Sequence, residues 1–386
     1  MQVMLCNRDH PEYGVATLTL PIPDEDYGRY MRELDRLQIG DVTAHDCYLD
    51  QITDAPPALD MLERTMVNVD ELDFLARSIE RYEPDELAKF QALVSTRKDW
   101  DVQTLINLSF SCEQTTVITD FSDLEDIGKS HYLAVHGGGV PAAEYEQLNG
   151  VGIALSLIAE GEGKITPYGV LYENGMQIEP LYSGHSFPAY MDRAYLMEFE
   201  LYSERDGAVT VFMPQPEKRL LRMLERAHID PNIKIDAPAE RFDFRGESVF
   251  ELNRLCAVVD RLDAAQKRKL SAVILYTAPE NAMEIRHLTE NLELFDFVPG
   301  VQSAEEFGKY MIRESGHFEY DEELEDYYDY AGYGQRRLDQ EGGEFNELGY
   351  VSYNGEPRLE ELMANGSAER EQVHQKEYGM QMGGLS

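Results

Sequence analysis

The chain has 386 residues, of which 43% are apolar and 23 are tyrosine. That composition predicts folded cores and excludes a disordered acidic chain, which would lack the aromatic residues. The 73 acidic side chains outnumber the 34 basic ones and give a formal net charge of -39. A surface of this sign repels nucleic acid and anionic membranes, so the charge predicts strongly basic partners.

The N-terminus and the cysteines narrow the class of protein further. The opening MQVMLCNRDHPEY has no basic n-region and no apolar h-region, so no signal peptide is expected. No apolar run reaches the length of about eighteen residues that a spanning helix needs. The four cysteines form no CxxC pair, and their spacing to nearby histidines fits no familiar zinc site. We therefore expect a soluble, cytoplasmic protein with reduced thiols, no metal and no cofactor.

The predicted elements follow in chain order, beginning with the first half of the chain. A strand-like run over residues 15–20 ends at a proline. Asn68 and Glu71 then have the spacing of a capping box, which predicts the start of a helix. A strand pair around residues 168–172 closes this half. Two helices lie between the first strand and this strand pair. Their apolar stripes are Leu72, Leu75 and Ile79 in the first helix and Leu87, Phe90 and Val94 in the second.

The second half of the chain has the same order of predicted elements. A strand-like run over residues 209–213 is followed by a helix that begins at a capping box of Ser248 and Glu251. A second helix with Leu270 and Val273 follows. A further capping box at residues 277–280 predicts a third helix, and residues 303–306 begin a fourth. A strand pair over residues 348–353 closes the half. The apolar positions of these helices are Leu252, Leu255, Val259, Leu270, Val273, Ile274, Phe307, Tyr310 and Met311.

This shared order reflects an internal repeat of the sequence. With a shift of 180 residues, positions 69–175 align with positions 249–355 without a gap. Nearer the N-terminus the shift becomes 193, so that Pro21 matches Pro214. Glycines stay in register because they mark turns or close approaches of the backbone. The matched glycines are Gly128 with Gly308, Gly152 with Gly332, Gly163 with Gly343, Gly169 with Gly349 and Gly175 with Gly355.

The repeat predicts the domain organisation. Each copy is expected to be strand-rich, then helical, then mixed, which gives an α+β fold whose small subdomains are strung out in an elongated body. Copy one is predicted at 1–182, with parts at about 1–62, 63–118 and 119–182. After a short linker at 183–192, copy two is predicted at 193–358, with parts at about 193–240, 241–298 and 299–358, before a polar tail at 359–386.

Acidic residues are spread over both copies. Residues 1–182 hold 33 acidic and 12 basic side chains, and residues 183–386 hold 40 and 22. The densest stretch is EYDEELEDYYD, residues 319–329, which we call the acidic run. Its seven carboxylates are those of Glu319, Asp321, Glu322, Glu323, Glu325, Asp326 and Asp329. A smaller cluster in copy one consists of Asp120, Asp123, Glu125 and Asp126.

Four explanations of this charge compete. A solvated surface without function accounts for any single cluster, but it does not explain the charge of the whole chain, because self-repulsion destabilises a compact state. Halophilic adaptation is compatible with the 10 lysines against 24 arginines. Calcium binding would need a DxDxDG loop, which the sequence lacks. Mimicry of nucleic acid explains both magnitude and spread, since 39 charges correspond to roughly 66 Å of duplex, or about 20 base pairs.

Catalytic motifs are missing from the sequence. It contains no GxSxG, no P-loop, no GxGxxG after a strand and no HExxH. Paired carboxylates are so abundant that no particular pair indicates acid–base chemistry. We therefore expect a binding protein and not an enzyme.

Three segments of copy two resemble the ArdA antirestriction proteins encoded by conjugative plasmids and transposons. SVFELNRLCAVVDRLDAAQKRKLSAVI, from Ser248, resembles the middle helical region of that family. DYYDYAGYGQRRL, residues 326–338, resembles its acidic, aromatic motif, and EGGEFNELGYVSYNG resembles its closing strands. In copy one, the strand near residues 15–21 and the segment Ala44-His45-Asp46-Cys47 resemble the opening of the family.

The resemblance implies a curved, elongated protein of three subdomains per unit, whose carboxylates stand in for DNA phosphates. It implies binding in the DNA groove of type I restriction–modification enzymes, stoichiometric inhibition without a cofactor, and dimerisation near the acidic, aromatic motif. The implied phosphate-mimicking groups are the seven carboxylates of the acidic run and the four of the copy-one cluster. The residues implied to shape the surface or a dimer contact are Tyr327, Tyr328, Tyr330, Tyr333 and Gly334.

This chain departs from the family in two ways. Short members are single units, whereas this chain is a tandem. The copy-one stretch EQLNGVGIALSL, residues 146–157, has also lost most of the acids and tyrosines. One prediction is an internal pseudo-dimer that hides Ile153, Leu155 and Leu157, and the alternative is a homodimer of the chain. Alternative functions are mimic-type inhibition of another defence system, such as a CRISPR effector, and an acidic halotolerant scaffold for basic partners.

Overall fold

The computed structural model describes residues 1–98, 100–175, 179–205, 207–235, 244–316 and 319–366. Helix makes up 48% and strand 17%, so the fold is mixed α+β, as predicted. Within the described residues, no helix is long and apolar enough to cross a membrane. The chain divides into two compact units, the first formed by Met1–Tyr195, Phe199–Val211 and Gln215–Pro231, and the second by Leu196–Glu198, Phe212–Pro214 and the chain from Asn232 onward.

The first unit opens with a four-stranded antiparallel sheet. Its strands are β1 Gln2–Cys6, β2 Val15–Thr19, β3 Cys47–Thr53 and β4 Thr65–Val67, in the order β2-β1-β3-β4. Alternation of side chains buries Ala16 and Leu18 of β2 and leaves the residues between them exposed. Helix α1, Asp24–Arg36, buries Tyr27, Tyr30, Met31 and Leu34 in the same core.

Three helices share this core with the sheet. They are α2 Val69–Glu80, α3 Pro84–Ser95 and α4 Val102–Ser109. The predicted apolar stripe of α2 is buried, as are Phe90 and Val94 of α3, while Leu87 is half-buried. The periodicity of the sequence therefore located the core faces of both helices correctly.

The rest of copy one builds a smaller sheet with helices against it. The elements are β5 Thr115–Ile118, α5 Leu124–Val135, α6 Ala142–Gln147, α7 Gly150–Glu160, β6 Lys164–Thr166 and β7 Gly169–Glu173. The sheet is antiparallel with the order β5-β7-β6, so the predicted strand pair at its C-terminal end is confirmed and gains a third strand. Ile118, Leu157 and Tyr172 form its buried cluster.

The compact units do not follow the copies of the repeat. The start of copy two forms a hairpin of β8 Met197–Ser203 and β9 Gly207–Met213 and then α8 Glu217–Arg226, and α8 belongs to the first unit. Residues 183–192, predicted as a linker, also pack on this unit. The Phe187 ring stacks on that of Phe74 at 4.7 Å, and the Tyr190 hydroxyl donates to the carbonyl of Ser78.

The second unit repeats most of the elements of copy one from α2 to β7 and adds a C-terminal helix. They are α9 Val249–Asp260, α10 Ala264–Thr277, α11 Ala282–Glu290, β10 Phe295–Pro299, α12 Ala304–Arg313, α13 Tyr330–Glu341, β11 Glu344–Asn346, β12 Gly349–Tyr353 and α14 Leu359–Asn365. Its antiparallel sheet has the order β10-β12-β11, equivalent to β5-β7-β6. Every element from α9 to β12 begins 180 residues after its counterpart, which confirms the predicted shift.

Equivalent residues cap equivalent helices. The side chains of Asp101, Asp123 and Asn149 accept a backbone N–H of the first turn of α4, α5 and α7. In the second unit, Asn281, Ser303 and Asp329 do the same for α11, α12 and α13. Short polar side chains at these positions satisfy amide groups that the helix itself leaves without a partner.

Two predicted capping boxes of the second half are wrong. Residues 277–280 do not begin a helix, because Ala278 takes a left-handed conformation that ends α10 ahead of a proline, and the helix start moves to Asn281. Ser248 precedes α9 but makes no capping bond. Glu251 instead accepts from the guanidinium of Arg286 at 2.5 Å, so its carboxylate is drawn away from the helix terminus.

Glycines let two pairs of helices cross at backbone contact. A Cβ on Gly128 of α5 would overlap the carbonyl oxygen of Gly150 at the start of α7. In the second unit, a Cβ on Gly308 would overlap the carbonyl of Tyr330, and one on Gly334 that of Ala304. The register of glycines in the sequence thus reports a close approach of α5 to α7 and of α12 to α13.

Candidate partner-binding surface

The acidic run forms a short, exposed element ahead of α13. Residues Glu322–Tyr327 make a 3-10 helix, and Asp321 accepts from the backbone N–H of Glu323 to begin it. All seven carboxylates predicted in this run are exposed to solvent. Asp329 has a second role, because its side chain caps α13 at the N–H of Gly332. The run is therefore a dense display of negative charge on an ordered backbone.

Few basic side chains neutralise the carboxylates of the acidic run. Arg313 of α12 forms an ion pair with Glu325. Among the residues that the structure describes, Glu319, Glu322, Glu323 and Asp326 have no basic side chain within salt-bridge distance. These carboxylates therefore remain available to a basic partner.

Tyrosine rings within and next to the acidic run pack on one another. The rings of Tyr320, Tyr328 and Tyr330 follow one another at 5.9 and 5.7 Å, and the guanidinium of Arg313 lies over those of Tyr320 and Tyr330. Tyr330 is buried, and its hydroxyl accepts from Nε of Arg313 at 3.3 Å. Arg313 therefore ties the run to α12 through both aromatic and ionic contacts.

Of the five residues predicted to shape the surface, Tyr327 and the half-buried Tyr328 lie in the acidic run, and the other three belong to α13. Tyr327 is 84% exposed and projects beside the carboxylates. Tyr330 and Gly334 are buried, and Tyr333 packs on the cluster of Val298, Phe307, Met311 and Tyr350. Most of the motif thus holds α13 in place, and Tyr327 is the member that a partner could touch most fully.

The copy-one cluster lies at the start of α5, in the other compact unit. Asp120, Asp123 and Asp126 are exposed, and Asp123 caps the helix at the N–H of Asp126. A turn with the amide and hydroxyl of Ser122 lowers the pKa of Asp120. The ion pair with Lys129, and then the backbone N–H of Val151, lower the pKa of Glu125. The lowered pKa values favour the charged forms of Asp120 and Glu125.

A second set of acidic residues is paired with arginines, and the sequence did not point to it; Glu71 and Asp73 are buried, whereas others of the set are partly exposed. Three arginines of α8, at positions 219, 222 and 226, meet Asp24, Asp70, Glu71 and Asp73 within the first unit. Burial alone would lower the pKa of Arg222, but the adjacent carboxylate of Asp70 outweighs it and the pKa rises. Arginines of the same unit engage these acids, so they offer a partner less free charge than the acidic run does.

Arg226 is the centre of this arginine network. It is only 1% exposed, yet it donates to the hydroxyl of Tyr182 at 2.7 Å and to Oδ1 of Asn68 at 2.6 Å. The Tyr182 hydroxyl in turn donates to Glu71 at 2.8 Å, and burial raises the pKa of Tyr182. A signal for the network was present in EKRLLRMLER, where the three arginines lie one helical turn apart on one face.

The described residues contain no group of three or more His, Cys, Asp or Glu arranged to hold a metal ion. The chemistry that the surface offers is recognition of positive charge by carboxylates. No protein-family model, no curated protein and no solved structure matches this chain.

Proposed function

We propose that this chain is an antirestriction protein, an acidic DNA mimic that binds the DNA-binding groove of type I restriction–modification enzymes. One observation carries the proposal: all seven carboxylates of the acidic run are exposed, and most of them lack an intramolecular cation among the described residues. A groove that binds DNA presents lysine and arginine to phosphates. The same side chains would meet the acidic run with complementary charge.

The proposal extends to the organisation of the chain. Two tandem ArdA-like units, each of three small subdomains, would form a curved and elongated body in the cytoplasm. Recurrence of the elements at a shift of 180 residues supports a tandem. The protein would act stoichiometrically, without catalysis and without a cofactor, because occupying a groove needs only binding.

The decisive experiment is cleavage of an unmodified plasmid by a purified type I enzyme, titrated with this protein. We expect inhibition near one-to-one stoichiometry, relieved by competitor DNA and by high salt, because screening weakens contacts between exposed charges. A variant with Arg313→Gln keeps all seven carboxylates and serves as a control for the ordering of the run. Its inhibition should change less than that of a variant with Glu322→Gln, Glu323→Gln and Asp326→Asn.

Other outcomes separate the alternatives. No inhibition at large excess would overturn the type I target, and the same titration against a CRISPR nuclease would then test mimicry of another defence system. Binding of basic proteins without displacement of DNA would support the scaffold alternative and overturn mimicry. Stability that keeps rising to molar salt would favour halophilic adaptation.

A further inference from the structure

The acidic side chains that meet α8 lie beside backbone carbonyls that the same helix uses. Together these groups of copy one form a surface that we call the arginine-binding face. It lies within the first compact unit, as does α8. Its carboxylates are those of Asp24, Asp70, Glu71 and Asp73, and its backbone acceptors are the carbonyls of Ile22, Gly40 and Val42.

Arg222 occupies the middle of this face. Its guanidinium forms a bidentate pair with Asp70, with Nε 3.0 Å from Oδ1 and Nη2 2.7 Å from Oδ2. The same Nη2 also donates to the carbonyl of Gly40 at 2.9 Å. Three bonds in fixed directions need the planar fork of N–H groups that arginine has and lysine lacks.

The other two arginines of α8 bind in the same manner. Arg219 donates to the carboxylate of Asp24 at 2.5 Å and to the carbonyl of Ile22 at 2.9 Å. Arg226 donates to the carbonyl of Val42 in addition to its side-chain partners. Every arginine of the set therefore binds a backbone carbonyl as well as a side chain of copy one.

The face matches one helix pattern. The three arginines are spaced i, i+3 and i+7, which places them on the same side of α8. Their side chains are only 14, 13 and 1% exposed, so the contact removes most of each guanidinium from water. Charged groups buried to this degree need well-placed partners, and a helix without this spacing would leave some of the acidic groups unpaired.

The equivalent helix of copy one does not carry the pattern. With the shift of 193, the positions of the three arginines are occupied in α1 by Asp26, Arg29 and Glu33. Arg29 pairs with both of these neighbours, at 2.8 Å to Asp26 and 3.3 Å to Glu33. Two acidic residues in these places would repel the carboxylates of the arginine-binding face, so α1 does not fit where α8 binds.

The equivalent acidic face is missing from copy two. With the shift of 180, Asp70 and Asp73 align with Phe250 and Asn253. The remaining acid of α9 already binds a guanidinium of its own unit. The acceptors thus belong to copy one and the arginine pattern to copy two, so the recognition runs in one direction.

We infer that the arginine-binding face is a recognition site for a helix with three arginines at i, i+3 and i+7, and that its partner is α8 of copy two. The site selects the copy-two helix and rejects the copy-one helix, so the two copies of the repeat are not interchangeable. It would also accept the same helix as a separate peptide. The inference does not rest on the proposed function, because these carboxylates are not those of the acidic run.

The test measures binding of labelled peptides, by fluorescence anisotropy, to a full-length receptor variant whose own α8 no longer fits. The receptor variant carries Arg219→Asp, Arg222→Ala and Arg226→Glu, two of which install the copy-one residues. One peptide consists of residues 215–231, and the other replaces its three arginines of the pattern by lysine at the same charge. The arginine peptide should bind at least about tenfold more tightly, because lysine cannot form the bidentate pair. Wild-type protein, whose site is filled, should not distinguish the two.

A matched pair of acid-to-amide variants locates the site. Asp70→Asn in the receptor variant should weaken binding of the arginine peptide by about tenfold, which is the loss expected when a hydrogen-bonded charge pair is broken. Asp26→Asn removes the same charge from the exposed side of α1 and should leave the affinity unchanged.

Three results would overturn the recognition site. They are failure of the arginine peptide to bind a folded receptor variant, equal affinity for the two peptides, and equal effects of Asp70→Asn and Asp26→Asn. A loss of inhibition of a restriction enzyme would leave this site untouched, so the two proposals fail separately.

A second comparison decides if circular dichroism shows that the receptor variant does not fold. Arg222→Lys and Arg29→Lys make the same change at equivalent positions of the otherwise unaltered chain. Arg222→Lys should speed hydrogen exchange of the α8 amides by at least about tenfold, whereas Arg29→Lys should not change it. Equal exchange in the two variants would overturn the site.

Discussion

Residues 115–173 and 295–353 have the same scaffold and opposite surfaces. Both build a three-stranded antiparallel sheet and two helices that cross at glycine, with polar caps at equivalent positions. In the second region an exposed acidic run precedes α13. In the first, the equivalent segment is α6, with two acidic residues, and α7 exposes leucine and valine.

This comparison separates residues that hold the fold from residues that face a partner. The crossing glycines and the caps contact backbone atoms, so their replacement disturbs the helices whatever the surrounding sequence. The exposed positions of α7 and α13 contact solvent and can change without cost to the fold. Duplicated scaffolds can therefore acquire different binding surfaces while their sheets and helix crossings stay the same.

The largest expected effect tests the shared scaffold. Gly128→Ala and Gly308→Ala should each lower the free energy of unfolding of their own region by about 2–3 kcal/mol, because the added methyl overlaps a carbonyl oxygen. Urea unfolding, with hydrogen exchange to assign each region, measures the change. Gly139→Ala is the control, since a Cβ there meets no atom within 4 Å. Similar stability of Gly308→Ala and this control would contradict the close crossing.

The next effect tests the difference in surface charge. Glu322→Gln with Glu323→Gln should raise the concentration needed for half-inhibition of a type I enzyme by about fivefold, because each exposed carboxylate contributes a modest amount of binding energy. Asp120→Asn with Asp126→Asn removes two charges from the first region and should have a smaller effect. A larger effect of the second pair would place the binding surface in copy one.

A third prediction distinguishes capping from charge at equivalent positions. Asn149→Ala and Asp329→Ala should each cost about 1 kcal/mol of stability, because each removes the acceptor for an amide of the first helical turn. Asp329→Asn keeps an acceptor and should retain most of the stability. If Asp329→Asn is as unstable as Asp329→Ala, the charge of Asp329 matters to the fold and the comparison with Asn149 fails.

The smallest effect concerns pH. Burial lowers the pKa of His131 below its ordinary value of 6.5, so the folded state favours the neutral ring, whereas the unfolded chain is protonated near that value. Stability from this group is complete above about pH 6.5 and falls as the pH drops toward the lower pKa of the folded state. His131→Met, which installs the residue equivalent to Met311, should reduce the change in the free energy of unfolding between pH 7 and pH 5 by less than about 1 kcal/mol, as measured by urea unfolding at each pH. An unchanged pH profile would show that His131 does not contribute.

Much of the scaffold could be predicted from local patterns. The stripe of Leu72 and Leu75 located a buried helix face, and the matched glycines Gly128 and Gly308 are points of close backbone approach, one of the two roles expected of them. The predicted cap at residues 277–280 failed because Ala278 turns left-handed ahead of a proline. At Ser248 the helix begins as predicted, but the serine makes no capping bond, and Glu251 binds Arg286, which is distant in sequence. Local patterns miss competition from residues that only the fold brings near.

The sequence by itself determined the repeat, the order of elements and the density of acidic residues, because glycines, caps and apolar periodicity act within a few residues of each other. Only the tertiary structure decided which acidic residues are displayed. Glu71 is buried because Arg226, 155 residues later, reaches it, while the acidic run stays exposed. Burial and pairing depend on contacts between segments that are distant in sequence, and a count of charged residues does not reveal these contacts.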